Sequence, residues 1–218
     1  MESLSIWLEY FRKVAGGLGS AAQLASISLA LGYPLAVGLA ILLDHKKKAI
    51  RWIAILLVEL GRGIPLLVLL YIFYQGLPQV DVIPSSLTSA VLAFTWSTAG
   101  YATEIIRASI HGVSKGQSEA ADSIGLNSRD RLRFIVIPQA LRISIPPLLG
   151  LAIIMFQLTS LAYVITFSEI MQAAYFLGTK TFDYLLVFSA AAAVYAVVTI
   201  PFSLLLSHLE KRISRHVA

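Results

Sequence analysis

The chain has 218 residues, of which 57% are hydrophobic and only 13% are charged, and its mean hydropathy is +0.78. A soluble domain has about 45–50% apolar and about 25% charged residues, so this composition excludes an ordinary soluble protein and favours a lipid bilayer as solvent. The chain has no cysteine and a formal net charge of +5, which excludes disulfides, thiolate chemistry and Cys-ligated metals.

The first sixteen residues predict a short amphipathic helix. Their apolar members recur at helical spacing: Leu4, Trp7, Leu8, Phe11 and Val14. Charged residues interrupt the segment, so it lacks the continuous apolar core of a cleavable signal peptide. We expect the helix to lie at the membrane interface with Trp7 and Tyr10 as aromatic anchors, and the alternative is a disordered leader.

Five apolar stretches are long enough to cross the hydrocarbon core of a bilayer, which takes roughly 20 residues each. They comprise residues 18–43, 52–75, 87–106, 143–167 and 184–206. The loop at 107–142 is the one sizeable polar segment between them. The sequence therefore predicts an all-α integral membrane protein with five transmembrane helices in a single domain over residues 1–218.

The distribution of lysine and arginine predicts the orientation, because cytoplasmic loops carry the excess of positive charge. One side of the membrane has the basic residues of the first loop, the long loop and the tail: Lys46, Lys47, Lys48, Arg51, Arg107, Lys115, Arg129, Arg131, Arg133, Arg142, Lys211, Arg212 and Arg215. The other side has Arg12, Lys13 and Lys180. We expect the N-terminus outside and the long loop and C-terminus in the cytoplasm, and this explanation of the basic charge leaves no indication of nucleic-acid binding.

Motifs of common catalytic sites are absent from the sequence. It contains neither the GxxxxGK[ST] of a nucleotide-binding loop nor the HExxH of a zinc protease. The histidines flank membrane ends without metal-ligand spacing: His45, His111, His208 and His216. We therefore predict that this chain is not an enzyme and binds no metal or cofactor.

The long loop predicts a compact cytoplasmic helix. Residues 117–124 suit about two turns, with Glu119 near the start and Gly125 as the stop. From the residues alone, two interpretations stay open. The small side chains of Ala120 and Ala121 form a face that inserts into a groove of another protein, or the segment is an ordinary solvated loop.

Three further features mark the end of this loop. Asn127 or Ser128 suits the cap of a second short helix. Pro138 predicts a break before the chain re-enters the membrane. The Pro146-Pro147 pair is expected to fix the entry to the fourth span.

Glu119-Ala120-Ala121, followed by Gly125 and then Ile135-Val136-Ile137-Pro138, resembles the EAA signature of binding-protein-dependent ABC importer permeases. The resemblance implies a coupling helix that docks on a separate ATPase subunit, which binds the ATP and magnesium. It assigns to that helix Gln117, Glu119, Ala120, Ala121, Ser123 and Gly125. It further implies two ATPase subunits, a second permease subunit, an external solute-binding protein and a prokaryotic plasma (inner) membrane location.

Other motifs resemble the polar amino acid permeases of this family. They are Gly61-Arg62-Gly63-Ile64-Pro65-Leu66-Leu67, Tyr101-Ala102-Thr103-Glu104-Ile105-Ile106-Arg107, Lys115-Gly116-Gln117, Pro138-Gln139-Ala140-Leu141-Arg142 and Leu209-Glu210-Lys211-Arg212. The implied cargo is an amino acid or an amino-acid-like polar solute. Before Thr159-Ser160-Leu161 the family often carries a charged run, whereas Met155-Phe156-Gln157-Leu158 has no charge.

Polar residues inside the predicted spans are candidates for the solute pathway. Gln157 is the foremost candidate, because an amide is costly to bury and its hydrogen bonds are hard to satisfy within its own helix. Hydroxyl groups, by contrast, often donate to a carbonyl of their own helix. The hydroxyl candidates are Thr95, Ser97, Thr98, Thr159 and Ser160. Glu59 and Arg62 stand three apart on one helix face and either line the pathway or pair at a subunit interface.

Two acidic residues are predicted at the outer face of the membrane. Glu169 and Asp183 would meet a delivering protein or a cation, or they are solvated loop charges.

The rival functions are a non-conducting accessory membrane subunit and a small secondary carrier working as an oligomer. The EAA segment favours the permease, because a carrier has no use for a helix that docks on an ATPase.

Overall fold

A computed structural model describes residues 2–214 and the side chains of residues 4–210. The predicted features at Lys211, Arg212, Arg215 and His216 lie outside the described side chains. Within the described residues the chain is helical without strands, so the all-α prediction is confirmed. The helices are α1 Glu2–Ala15, α2 Leu18–Leu43, α3 Lys48–Gly63, α4 Leu66–Tyr71, α5 Ser86–His111, α6 Lys115–Ser123, α7 Ser128–Arg131, α8 Ile137–Leu158, α9 Ile170–Thr181 and α10 Tyr184–Ser214.

Three helical stretches are long and apolar enough to cross a membrane. They are Leu4–Leu43, Ser128–Ile165 and Tyr184–Glu210, and a fourth crossing results if the bent pair of α3 and the helix after it is one span. The first predicted span coincides with α2, and α5 and α10 contain the third and fifth. The multi-pass architecture therefore stands, and the number of five crossings remains a prediction.

The second predicted span, residues 52–75, is not one straight helix. The chain bends by 103° between α3 and the helical stretch that begins at Leu66. Ile64 is extended (φ −86°, ψ 127°), because the ring of Pro65 disfavours helical backbone in the residue before it. The break frees the Arg62 carbonyl, which accepts a hydrogen bond of 3.2 Å from the Tyr101 hydroxyl.

The fourth predicted span begins earlier than expected. Pro138 makes no break, because it stands just after a π-helical turn inside a helical stretch that runs from Ser128 to Ile165. A π-helical turn at Leu132–Val136 instead joins α7 to α8. Pro146 and Pro147 lie inside α8 and do not mark its entry. Beyond Leu158 the helix tightens into a 3₁₀ turn, Thr159–Ile165.

The N-terminal helix α1 forms as predicted, and protein covers part of it, whereas Leu4 and Leu8 on its apolar face are 63% and 50% exposed. Tyr10 and Val14 are buried in a cluster with residues of α9 and α10. The Trp7 indole nitrogen donates a hydrogen bond of 2.9 Å to the Ser189 hydroxyl of α10. Tyr10 is therefore a packing residue and not a membrane anchor.

The main core lies where α2, α5 and α8 meet. Leu24, Phe94 and Met155 are fully buried there. At Gly32 the approach of α2 to α5 is so close that a Cβ atom would lie 2.7 Å from Thr98 Cγ2. The core therefore fixes α5 in the middle of the molecule, and α6 follows directly from its end.

Candidate coupling segment and membrane pathway

The short helix predicted for the long loop is present as α6, and it ends at Gly125 as the sequence indicated. Gly125 has φ +80°, a left-handed conformation that glycine adopts without strain. Its N–H donates to the Asp122 carbonyl (3.0 Å), and the N–H of Leu126 donates to the Ala121 carbonyl (3.1 Å). This is the Schellman motif, which satisfies the last carbonyls of a helix.

Two contacts fix α6 to the rest of the loop. Ala121, only 3% exposed, and Val136 are both buried where α6 packs on the π-helical turn. Arg131 Nη1 lies 2.6 Å from the Asp122 carboxylate. Asn127 caps α7, as expected, by accepting from the N–H groups of Arg129 and Asp130, both at 3.0 Å. The segment is therefore a fixed platform, and Ala121 serves its internal packing.

The solvent-exposed surface of this platform carries both polar and apolar side chains. The remaining predicted coupling residues are exposed: Gln117, Glu119, Ala120, Ser123 and Gly125. Large apolar side chains are exposed in the same loop, above all Ile124 after α6 at 76% and Phe134 in the π-helical turn at 60%. Sequence reasoning missed both, although isolated apolar residues in a polar loop were the available signal. An exposed apolar group on a fixed polar platform is a typical protein contact.

Glu59 and Arg62 form the expected ion pair, with Arg62 Nη2 2.7 Å from Glu59 Oε1. Both side chains are partly exposed, so the pair lies on the surface of the single chain. Gly61 between them faces inward, and a Cβ atom there would lie 2.7 Å from the Trp96 carbonyl oxygen. Gly63 has open space around it. The close packing therefore rests on Gly61 alone.

The polar candidates of α5 lie inside the protein. Ser97 and Thr98 are buried, and Thr95 is half-buried. The hydroxyl oxygens of Thr95 and Thr98 are buried without a hydrogen-bond partner among the described residues. Thr98 packs against Gly32 of α2. These hydroxyls therefore belong to the α2–α5 contact.

The candidates at the end of α8 divide between the core and a cavity. Thr159 is buried and donates back to the Phe156 carbonyl at 2.7 Å, the bonding expected of helical hydroxyls. Gln157 is exposed, and with Ser160 it lines a cavity of about 500 Å³ beside Tyr195 of α10. The structure thus brings Gln157 and Ser160 together and keeps them apart from the Glu59–Arg62 pair.

The two acids predicted at the outer face differ from each other, and the burial of Glu169 was not predicted. Its side chain is fully buried at the start of α9, where it accepts hydrogen bonds from the N–H groups of Met171 (2.7 Å) and Gln172 (2.8 Å) and from the Tyr195 hydroxyl (2.9 Å). It is therefore a structural cap and neither a solvated charge nor a contact for a delivering protein. Asp183 is half-buried between α9 and α10.

Long apolar helices, a broken second span and a folded polar loop define a multi-pass membrane protein. Residues 32–215 match the model of the family described as the binding-protein-dependent transport system inner membrane component. The chain belongs to this family of ABC transporter permease subunits, which are not enzymes themselves. It is an inner membrane component, and the resemblance drawn from its motifs to the polar amino acid permeases is confirmed.

Two curated relatives come from Bacillus subtilis (strain 168). The probable amino-acid ABC transporter permease protein YckA is 33% identical over 96% of this chain and 93% of its own. The L-cystine transport system permease protein TcyB is 37% identical over 94% of this chain and 88% of its own. Alignment over nearly the whole length of each chain shows that the relationship is not confined to one motif.

Solved structures agree with this family. The chain superposes on the crystal structure of an amino acid ABC transporter with histidines at a TM-score of 0.92, with 32% identity over 97% of this chain and 99% of that one. It also matches the inward-facing MetNI methionine ABC transporter at a TM-score of 0.74, with 12% identity over 92% of this chain and 95% of that chain. The second likeness shows the shared fold alone.

Proposed function

We propose that this chain is the membrane-spanning permease subunit of an ATP-driven importer that carries an amino acid or an amino-acid-like polar solute into a prokaryotic cell. The names of its full-length relatives support this cargo, since they are called amino-acid and L-cystine permeases. ATP and magnesium bind to a separate ATPase subunit, because the sequence of this chain lacks a nucleotide-binding loop.

The fixed platform of α6 is the observation that carries the proposal. A transporter driven by a separate ATPase needs a rigid element that passes movement between the two chains. α6 fits this role because its end is closed at Gly125 and its side is held by the Asp122–Arg131 ion pair. Ile124 and Phe134 then supply the apolar contacts to the ATPase.

The complete importer contains a second permease subunit, identical or homologous, two ATPase subunits and an external solute-binding protein. The Glu59–Arg62 pair supports the second permease subunit, since an ion pair on a membrane-facing surface is costly unless another protein covers it. The solute passes along Gln157 and Ser160, the polar groups that line the cavity at the end of α8.

The chain crosses the membrane five times, with the N-terminus outside and α6 in the cytoplasm. The distribution of lysine and arginine supports this orientation. Single cysteines at Lys47, Ser85 and Ser128 test it in intact cells. We expect an impermeant reagent to label position 85 alone. Labelling of position 128 from outside would contradict the orientation.

Affinity purification of the permease followed by reconstitution in vesicles tests the function. An ATPase is expected to co-purify, and its ATP hydrolysis is expected to rise when solute-loaded binding protein is added, with each amino acid tried in turn. A complex that retains the ATPase without response to any amino acid would remove the proposed cargo. A permease that retains no ATPase would favour the accessory subunit or the oligomeric carrier.

A further inference from the structure

A second cavity, separate from the one beside Gln157, lies among α4, the 3₁₀ turn and α9. Its volume is about 780 Å³, within the range of about 300–1,000 Å³ that is typical of ligand pockets. All of its lining residues are uncharged. In the proposed orientation the cavity lies toward the outer end of the molecule, where a solute arrives.

Aromatic side chains dominate the wall of this cavity. Tyr71 comes from α4, Tyr163 from the 3₁₀ turn, and Tyr175 and Phe176 from α9. The rings of Tyr163 and Tyr175 are in contact, with 5.6 Å between their centroids. None of the three tyrosine hydroxyls makes a hydrogen bond to a described residue. Each of them is therefore available to donate to a ligand.

One lining ring already holds an ammonium group of the protein. Lys180 Nζ lies 4.2 Å from the centroid of the Phe176 ring. The negative face of an aromatic ring attracts a cation at this distance, and organic ammonium groups are recognised by sets of such rings. Lys180 does not itself line the cavity, so the Phe176 ring can take an ammonium group from the cavity side, either in addition to Lys180 or in exchange for it.

The remaining wall is held rigidly by hydrogen bonds between elements. Tyr74 and Thr166 share a hydrogen bond of 3.2 Å between their hydroxyls. Gln172 Nε2 donates to the Thr166 carbonyl (3.3 Å), and Ser168 donates to Gln172 Oε1 (2.8 Å). Thr166 has φ +60°, which a β-branched residue adopts only when its surroundings hold it there. These hydrogen bonds hold the polar part of the wall in place.

We propose that this cavity is an outer binding site for a free amino acid. The ammonium group lies against Phe176 in place of Lys180, and the carboxylate accepts hydrogen bonds from the tyrosine hydroxyls. The site would hold the solute before it reaches Gln157. This inference rests on the proposed function, since it takes the solute of the importer as the ligand.

Titration calorimetry on the purified permease–ATPase complex tests the site with two probes, n-butylammonium and butyrate. We expect n-butylammonium to bind more tightly than butyrate. Phe176→Leu should weaken its binding about three- to thirtyfold, the loss expected for one cation–π contact. Phe182→Leu is the matched control, because Phe182 is 81% exposed at the end of α9 and does not line the cavity. Lys180→Gln should strengthen binding by removing the competing ammonium group.

Equal binding by the Phe176→Leu and unaltered complexes would overturn the site, as would tighter binding of butyrate. A disulfide between cysteines at position 175 of two permease copies would also overturn it, because the second copy would then fill the cavity. ATPase retention is measured in the same preparations. Loss of ATPase from the unaltered complex would count against the proposed function, whereas retained ATPase with unchanged binding in Phe176→Leu would count against this site alone.

Discussion

Tyr195 of α10 donates a hydrogen bond of 2.9 Å to the buried carboxylate of Glu169 at the start of α9. All three groups that contact this carboxylate are donors, two of them backbone N–H groups. The pair therefore ties the long C-terminal helix to the short helix of the preceding loop. At Gly17 the start of α2 completes the contact, since a Cβ there would lie 2.3 Å from the Glu169 carbonyl carbon.

Tyr195→Phe should destabilise the protein by about 1.5–3 kcal/mol, because it removes one hydrogen bond to a buried charged group. Thermal unfolding of the detergent-solubilised permease measures the effect. Tyr184→Phe is the control, since the Tyr184 hydroxyl makes no hydrogen bond to a described residue. Equal stability of the two variants would show that the Glu169 contact does not hold α9.

The free energy of unfolding should depend on pH through the carboxyl group of Glu169. Burial raises the pKa of its carboxyl above the ordinary 4.5, against the hydrogen bonds from Met171, Gln172 and Tyr195 that lower it. A raised folded-state pKa contributes stability that is fully present below the unfolded pKa and is lost as the pH rises through the folded pKa. The stability difference between the unaltered protein and Glu169→Gln should therefore shrink as the pH rises above the ordinary pKa of 4.5. A difference that grows with pH would contradict this account.

Gly61→Ala should destabilise the packing of α3 on α5, whereas Gly63→Ala should not. A Cβ at Gly61 would lie 2.7 Å from the Trp96 carbonyl oxygen, and one at Gly63 meets nothing within 4 Å. Overpacking of this kind typically costs about 1–3 kcal/mol. Unfolding of the two variants under identical detergent conditions gives the comparison. Similar losses in both would contradict the close approach at Gly61 as the cause, since alanine has the higher helix propensity at either position.

Loss of the Asp122–Arg131 ion pair should weaken association with the ATPase more than it weakens folding of the permease. Asp122→Arg places like charges together and loosens α6, while the double variant Asp122→Arg/Arg131→Asp restores the pairing. An exposed ion pair contributes about 0.2–1 kcal/mol, so we expect up to about fivefold weaker ATPase association in the single variant and recovery in the double one. Association is measured by retention of the ATPase on the immobilised permease. Failure of the double variant to recover would mean that the individual side chains, and not their pairing, are needed.

The sequence predicted α2, α10 and the stop of α6 well, because these features depend on local signals. Apolar runs of membrane-spanning length define the two long helices, and Gly125 is a residue that ends a helix without strain. The bend at Pro65 was not predicted, because the apolar run continues on both sides of the proline. Hydropathy alone does not show whether the helix axis changes direction. α9 was missed because its 12 residues are neither long nor strongly periodic.

The side-chain environments could not be derived from spacing. Glu169 in sequence resembles an exposed loop acid, and only the meeting of α9 with α10 buries it. Ala121 looked like part of a contact face, but the fold turns it inward against the π-helical turn. By contrast, the Glu59–Arg62 pair followed from helical geometry alone, since residues three apart share a face.

The central claim is that α6 and its flanking apolar groups dock on a separate ATPase, and the affinity of the ATPase for two isoleucine variants tests it most directly. Ile124 and Ile83 are 76% and 83% exposed; Ile124 follows α6, whereas Ile83 precedes α5. Burying an isoleucine in an interface is worth about 1.5–3 kcal/mol, or about ten- to a hundredfold in affinity. We predict a loss of this size for Ile124→Asp and unchanged affinity for Ile83→Asp. Equal affinity of the ATPase for both variants and the unaltered permease would contradict the claim.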